Sequence, residues 1–131
     1  MKVDHVGIAV RSIEETAALY AAAFGLAVAE RYELPQEGVR LAFLQAGDSL
    51  LELLEPMGEQ GPLAGFLSAR GPGIHHIAFH VSDIDRAIAQ ARSAGCQPID
   101  QQGRPGARGK LIAFLHPSST AGVLIELVQD E

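Results

Sequence analysis

The sequence predicts an α+β fold of two tandem βαβββ modules, and three observations carry the prediction. The first is self-similarity: His5-Val6-Gly7-Ile8-Ala9-Val10 recurs 71 residues later as His76-Ile77-Ala78-Phe79-His80-Val81, each an apolar strand-like run opened by a histidine. The second is a matched pair of closing runs, Leu51-Glu52-Leu53-Leu54 and Ile125-Glu126-Leu127-Val128, 74 residues apart. The third is a change in each half from helical to strand-like hydrophobic period. With 131 residues there is room for one compact domain or two very small ones, so the two lobes must come from duplication. Residues 1–131 are therefore expected to form a single domain, with module 1 at about 1–56, a linker at about 57–73 and module 2 at about 74–131.

Each opening strand runs directly into a helix start. Ser12, with Glu15 three residues on, has the spacing of a capping box, and Ser82 or Asp83 serves the second copy. The first helix spans Ile13 to Phe24, with Gly25 as its C′ residue; the second spans Ile84 to Ala94, ahead of Gly95. Strands follow at Ala27–Leu34, Val39–Leu44 and Leu50–Leu54, broken by Pro35-Gln36-Glu37-Gly38 and Ala46-Gly47-Asp48-Ser49. In the second half they fall near Gln97–Ile99, then at Lys110–Leu115 and Val123–Val128. The glycine-rich linker reads as loop, with Leu63–Ala69 able to form a short helix.

Composition excludes several classes. Hydrophobic residues make up 47% and charged residues 20%, close to ordinary globular usage, so disorder, collagen and coiled coil are excluded. No apolar run approaches the ~20 residues of a membrane span, and the first residues lack the apolar stretch of a signal peptide, so a cytoplasmic location is expected. The lone Cys96 allows no internal disulfide and reads as a small apolar filler. A formal charge of -6 argues against nucleic acid or membrane as a partner, so any anionic ligand must be held locally.

Four residues stand out by position in the repeat: His5 and His76 open the first strands, and Glu52 and Glu126 sit inside the last. A carboxylate between leucines and isoleucines belongs to a buried strand, and burying a lone charge is costly unless something pairs with it. Two imidazoles and two carboxylates would neutralise a divalent cation and leave positions open on an octahedral metal. Taken singly, each has an ordinary alternative, a hydrogen-bonded core histidine or a solvent-facing glutamate; recurrence at equivalent places favours the ligand reading. Period-two alternation assigns the ligand role to His76 and turns His75 to the other face. His80 and His116 have no such counterparts and read as structural or substrate-facing. The run Gly103 to Lys110 resembles a phosphate loop, but five residues separate Gly103 from Gly109 and Leu111 stands where Ser or Thr is needed, so it is no P-loop. Its Arg104, Arg108 and Lys110 leave two readings open, a solvated loop or a local anion site.

These residues resemble the vicinal oxygen chelate superfamily (glyoxalase I, extradiol dioxygenases, bleomycin- and fosfomycin-resistance proteins), and within it the methylmalonyl-CoA epimerase family. The resemblance runs through Asp4 to Val10, Pro35 to Val39, Glu52-Leu53-Leu54-Glu55-Pro56, Gly73 to Phe79, Arg104 to Lys110, Phe114-Leu115-His116-Pro117 and Gly122 to Leu127. It implies metal ligation by His5, Glu52, His76 and Glu126, a divalent ion with Co2+ favoured over Mn2+, Ni2+, Zn2+ or Mg2+, a homodimer, and an acyl-CoA substrate touched by Arg104, Arg108, Lys110 and His116. The implied reaction is epimerisation of (2R)- and (2S)-methylmalonyl-CoA by C2 proton abstraction through a metal-stabilised enolate. Glu126 would act as base, and Glu37, a water or a mobile Glu52 would be its partner. The sequence departs from the family where some members carry a second catalytic glutamate: three residues after Gly38 stands Leu41. His116-Pro117-Ser118 replaces the commoner His-Pro-Lys. The alternatives are a glyoxalase I type lactoylglutathione lyase and a non-catalytic drug-binding protein of the same fold; the latter has no use for two buried carboxylates.

Overall fold

A computed structural model describes residues 1–130, in which the chain forms two compact units. One is Val6–His75. The other joins residues 1–5 to the chain from His76 onward, so the boundaries cut through strands β1 (Lys2–Ala9) and β5 (Gly73–His80).

In the unit Val6–His75, helix α1 spans Ile13–Phe24, as predicted. The Ser12 hydroxyl accepts the backbone N–H of Glu15 at 3.1 Å, and Gly25 ends the helix in the left-handed region at φ 72°, donating its N–H to Ala21. Strands β2 (Val28–Leu34), β3 (Val39–Ala46) and β4 (Ser49–Pro56) follow as an antiparallel meander. Val10, Ile13 and Ala17 pack on Ala42, Leu44 and Leu53 to form its core. Leu41 through Leu44 are all buried, so β3 is covered on both faces. Helix α2 forms at Pro62–Arg70, on the stretch where the sequence allowed a short helix.

The second unit repeats the plan. Helix α3 (Ile84–Ser93) starts at Asp83, whose carboxylate accepts the N–H of Arg86 at 3.1 Å. Strand β5 runs parallel to β8 (Ile125–Gln129), which pairs antiparallel with β7 (Leu111–Leu115), and β7 pairs with the two-residue β6 (Arg104–Pro105). The core is Val81, Ile84, Ile88, Ala113, Leu115 and Leu127, with Cys96 packed against it as filler. The short strand expected near Gln97–Ile99 is a single bridge between Pro98 and Leu115, and β6 lies instead in the stretch read as a loop. Pro98 has no N–H to extend a ladder. Gly103 and Gly106, by contrast, let the chain pass so close to Ile84 and Ile112 that a Cβ would stand 2.6 and 2.7 Å from their side chains.

The duplication extends to individual hydrogen bonds. The Val10 N–H donates to Leu54 O at 2.9 Å, and the Val81 N–H to Val128 O at 2.8 Å. The first N–H of α1, on Ile13, donates to the Glu55 carboxylate at 2.7 Å; that of α3, on Ile84, donates to the Gln129 amide oxygen at 2.7 Å. Each helix start is thus held by a side chain three residues beyond Glu52 or Glu126. No helix among the described residues is long and apolar enough to cross a membrane.

Candidate metal centre

Strands β1, β5 and β8 supply three donors to one point in the second unit. The Nε2 atoms of His5 and His76 lie 3.1 Å apart, and Oε1 of Glu126 stands 3.2 Å from the first and 3.0 Å from the second. All three side chains are buried. Bonds of about 2.1 Å to a divalent ion place adjacent octahedral ligands about 3.0 Å apart, which matches the sides of this triangle. The donor chemistry, two imidazoles and a carboxylate, also suits such an ion.

The orientation of His5 has a cause. Its Nδ1–H donates to Oδ2 of Asp4 at 2.7 Å, which leaves Nε2 as the ring nitrogen that faces Glu126 and His76. The His76 ring meets Phe114 edge-on at 5.8 Å and His5 at 5.2 Å, which fixes its plane. Burial pushes the Glu126 carboxyl up, but hydrogen bonds and charge from His5 and His76 outweigh it and hold the group below the usual carboxylate range. At Asp4 burial likewise opposes ionisation, and the contacts with His5 and Arg108 again win, keeping its carboxyl far below its ordinary value.

Glu52 belongs to the other unit. It is as buried as Glu126, at 5% exposure each, and holds the equivalent ladder position: Glu52 stands opposite Phe43 on β3 as Glu126 stands opposite Phe114 on β7. His75 faces away from the ligand register, its ring 5.0 Å from that of Phe66. His80 pairs with Asp130 at 3.2 Å, and His116 is exposed, with Nδ1 accepting the Ser118 N–H at 3.2 Å. The three basic residues read as a local anion site each meet an acid within the chain: Arg104 meets Asp100 at 2.9 Å, Arg108 meets Asp4 at 2.6 Å, and Lys110 meets Asp130. Sequence reasoning passed over Asp4 and Glu55. The signal for Asp4 was an acid directly before a candidate ligand histidine in an apolar strand. That for Glu55 was its place three residues after Glu52, matched by Gln129 after Glu126.

Comparison with known proteins identifies the fold and the family. The Glyoxalase/Bleomycin resistance protein/Dioxygenase superfamily matches residues 4–114. The mitochondrial methylmalonyl-CoA epimerase of Homo sapiens is 38% identical over 129 residues, 98% of this chain and 73% of that protein. This chain belongs to the methylmalonyl-CoA epimerase family. An ethylmalonyl-CoA/methylmalonyl-CoA epimerase of Cereibacter sphaeroides is 40% identical over 131 residues, covering 98% of this chain and 97% of that one. A variant of the Streptomyces coelicolor methylmalonyl-CoA epimerase, solved in complex with 2-nitronate-propionyl-CoA, superposes with a TM-score of 0.94 at 37% identity, over 99% of this chain and 94% of that one. The eight strands and three helices therefore form the glyoxalase-type fold of the superfamily, and a member of this epimerase family is an isomerase.

Proposed function

We propose that this protein epimerises methylmalonyl-CoA at C2, with a divalent ion held by His5, Glu52, His76 and Glu126. The observation that carries the reading is the buried triangle of His5 Nε2, His76 Nε2 and Glu126 Oε1, with sides of 3.0–3.2 Å. Supporting it are the acyl-CoA substrate named for the human and Cereibacter relatives and the acyl-CoA analogue bound by the Streptomyces enzyme. Glu52, at the equivalent ladder position of the other unit, is assigned as the fourth donor on the strength of the repeat.

The ion would lend positive charge to the thioester and carboxylate oxygens of the substrate, making the C2 proton more acidic. Glu126, ionised and shielded from bulk water, takes that proton. Return of a proton to the opposite face needs a second group. Leu41 offers none; the candidates are Glu37, exposed in the turn before β3, a water, and a mobile Glu52, which is buried. Arg104, Lys110 and His116 are assigned to the anionic parts of the coenzyme. The reading extends to Co2+ as the resident ion, a homodimer and a cytoplasmic location.

The test is exchange of the C2 proton of methylmalonyl-CoA in heavy water, with chelated and cobalt-reloaded protein side by side and a hemithioacetal isomerisation assay as the control. Exchange that requires metal, with no hemithioacetal turnover, is expected. Hemithioacetal turnover without C2 exchange would instead make the protein a lyase of the glyoxalase I kind, and exchange that survives chelation undiminished would remove the metal from the reaction.

A further inference from the structure

Arg108 stands in the sequence among residues suited to an anionic substrate, yet its guanidinium is turned inward. Its side chain is 13% exposed, and Nη2 donates to Oδ2 of Asp4 at 2.6 Å. The same oxygen accepts the Nδ1–H of His5 at 2.7 Å. Three side chains are thus in series, from the loop after β6 to the proposed metal donor Nε2 of His5. Arg108 is also one of two non-glycine residues among those described with positive φ, at 61°, inside the single-turn 3₁₀ helix Ala107–Gly109. A backbone held in that region implies that the surrounding structure fixes it. Gly106, pressed against Ile112 at 2.7 Å for a built Cβ, is one of the anchors.

We propose that Arg108 and Asp4 are positioning residues: Arg108 clamps the Asp4 carboxylate, and Asp4 fixes the tautomer and ring plane of His5 for metal binding. This rests on the metal reading above. A carboxylate on the far nitrogen of a ligand imidazole selects the Nδ1–H form, orients the ring and makes Nε2 a better donor. Left alone, a buried carboxylate beside a neutral imidazole would carry an uncompensated charge; the Arg108 guanidinium supplies the compensation. The arrangement is one-sided. The residue equivalent to Asp4 in the second copy is His75, which packs on Phe66 at 5.0 Å, so the two ligand histidines of the repeat are oriented by different means.

The test uses the full chain with Asp4→Asn, Arg108→Gln, Arg108→Lys and the Asp4→Asn/Arg108→Gln double variant, each checked for folding by circular dichroism. Two quantities are read: Co2+ affinity by competition with a chromophoric chelator, and the His5 tautomer in metal-free protein by long-range nitrogen–proton NMR. Asp4→Asn should weaken Co2+ binding by about 10–100-fold and mix the two tautomers of His5. Arg108→Gln should weaken it about tenfold, Arg108→Lys should restore part of the loss, and the double variant should be no weaker than Asp4→Asn alone, because both act along one line. Unchanged Co2+ affinity together with an unchanged Nδ1–H tautomer in Asp4→Asn would overturn the proposal. So would Arg108 variants that bind Co2+ normally and raise only KM for the acyl-CoA, which would return Arg108 to substrate binding. If Asp4→Asn fails to fold, the Arg108 pair decides. If the wild-type chain takes up no Co2+, the metal reading fails, and the tautomer measurement still judges the Arg108–Asp4–His5 chain.

Discussion

Replacing Glu126 with Gln probes the proposed base and the local packing at once. The amide keeps an oxygen donor and the side-chain volume but cannot accept the C2 proton. With the side chain 7% exposed, bulk water is poorly placed to act in its stead. Loss of a general base is worth about 10²–10⁴-fold in rate, or roughly 3–5 kcal/mol of barrier, and the shielding points to the upper half of that range. A structural cost accompanies it. Glu126 Oε1 faces two imidazole nitrogens at 3.0 and 3.2 Å. Replacing the carboxylate by a neutral amide weakens the charge-assisted contact with His76 by about 1 kcal/mol, which for a domain of this size lowers Tm by about 3–5 °C. The variant should therefore be assayed well below its own midpoint, after cobalt content has been matched to the wild type by atomic absorption. Deuterium incorporation at C2 is then followed by NMR. Glu52→Gln, measured alongside, should retain exchange within about tenfold, since a neutral amide still coordinates and the base is intact. Near-normal exchange in Glu126→Gln with a dead Glu52→Gln would reverse the two roles and refute the argument.

His5→Ala and His76→Ala should weaken Co2+ binding to a similar degree, with His75→Ala far milder; equal losses at His75 and His76 in calorimetric titration would contradict the strand register. Glu55→Ala and Gln129→Ala should each destabilise the fold by about 1–2 kcal/mol in urea titrations, because each strips the first N–H of a helix of its acceptor. Hydrogen bonds from Lys110 and His80 lower the Asp130 carboxyl below its ordinary value. A depressed folded value stabilises above the unfolded pKa of about 4 and is lost as pH falls through the folded one. Asp130→Asn should accordingly narrow the gap to wild type only in the acid limb of a stability–pH profile, and a gap that widens toward low pH would contradict the assignment.

What could be read from the chain was what is local or repeated. Ser12 and Gly25 bracket α1, so both its ends were legible, and the offset between His5 and His76 located the second module without any tertiary information. Glu52 and Glu126 betrayed themselves by charge within apolar strands. The failures have one physical origin: partners distant in sequence. Pairing of Arg104 and Pro105 with β7 depends on Gly103 and Gly106 fitting against Ile84 and Ile112, which no local propensity encodes. Asp4 gains its role from Arg108, 104 positions away, and Arg108 was read by its charge alone when its environment decides what that charge serves.

The side chains that hold the helix starts have a further consequence. In a strand, positions three apart project from opposite faces, so β4 offers Glu52 on one side and Glu55 on the other, and β8 does the same with Glu126 and Gln129. A slip of either strand by one residue would carry the carboxylate out of its place and simultaneously unhook a helix, so misregistered forms are penalised on both faces. Each closing strand behaves like a rivet headed at both ends. For engineering, this separates two tasks: the proposed donor at 52 or 126 can be exchanged for another side chain while Glu55 and Gln129 go on fixing the register, and a library that varies the proposed site should leave those two positions alone.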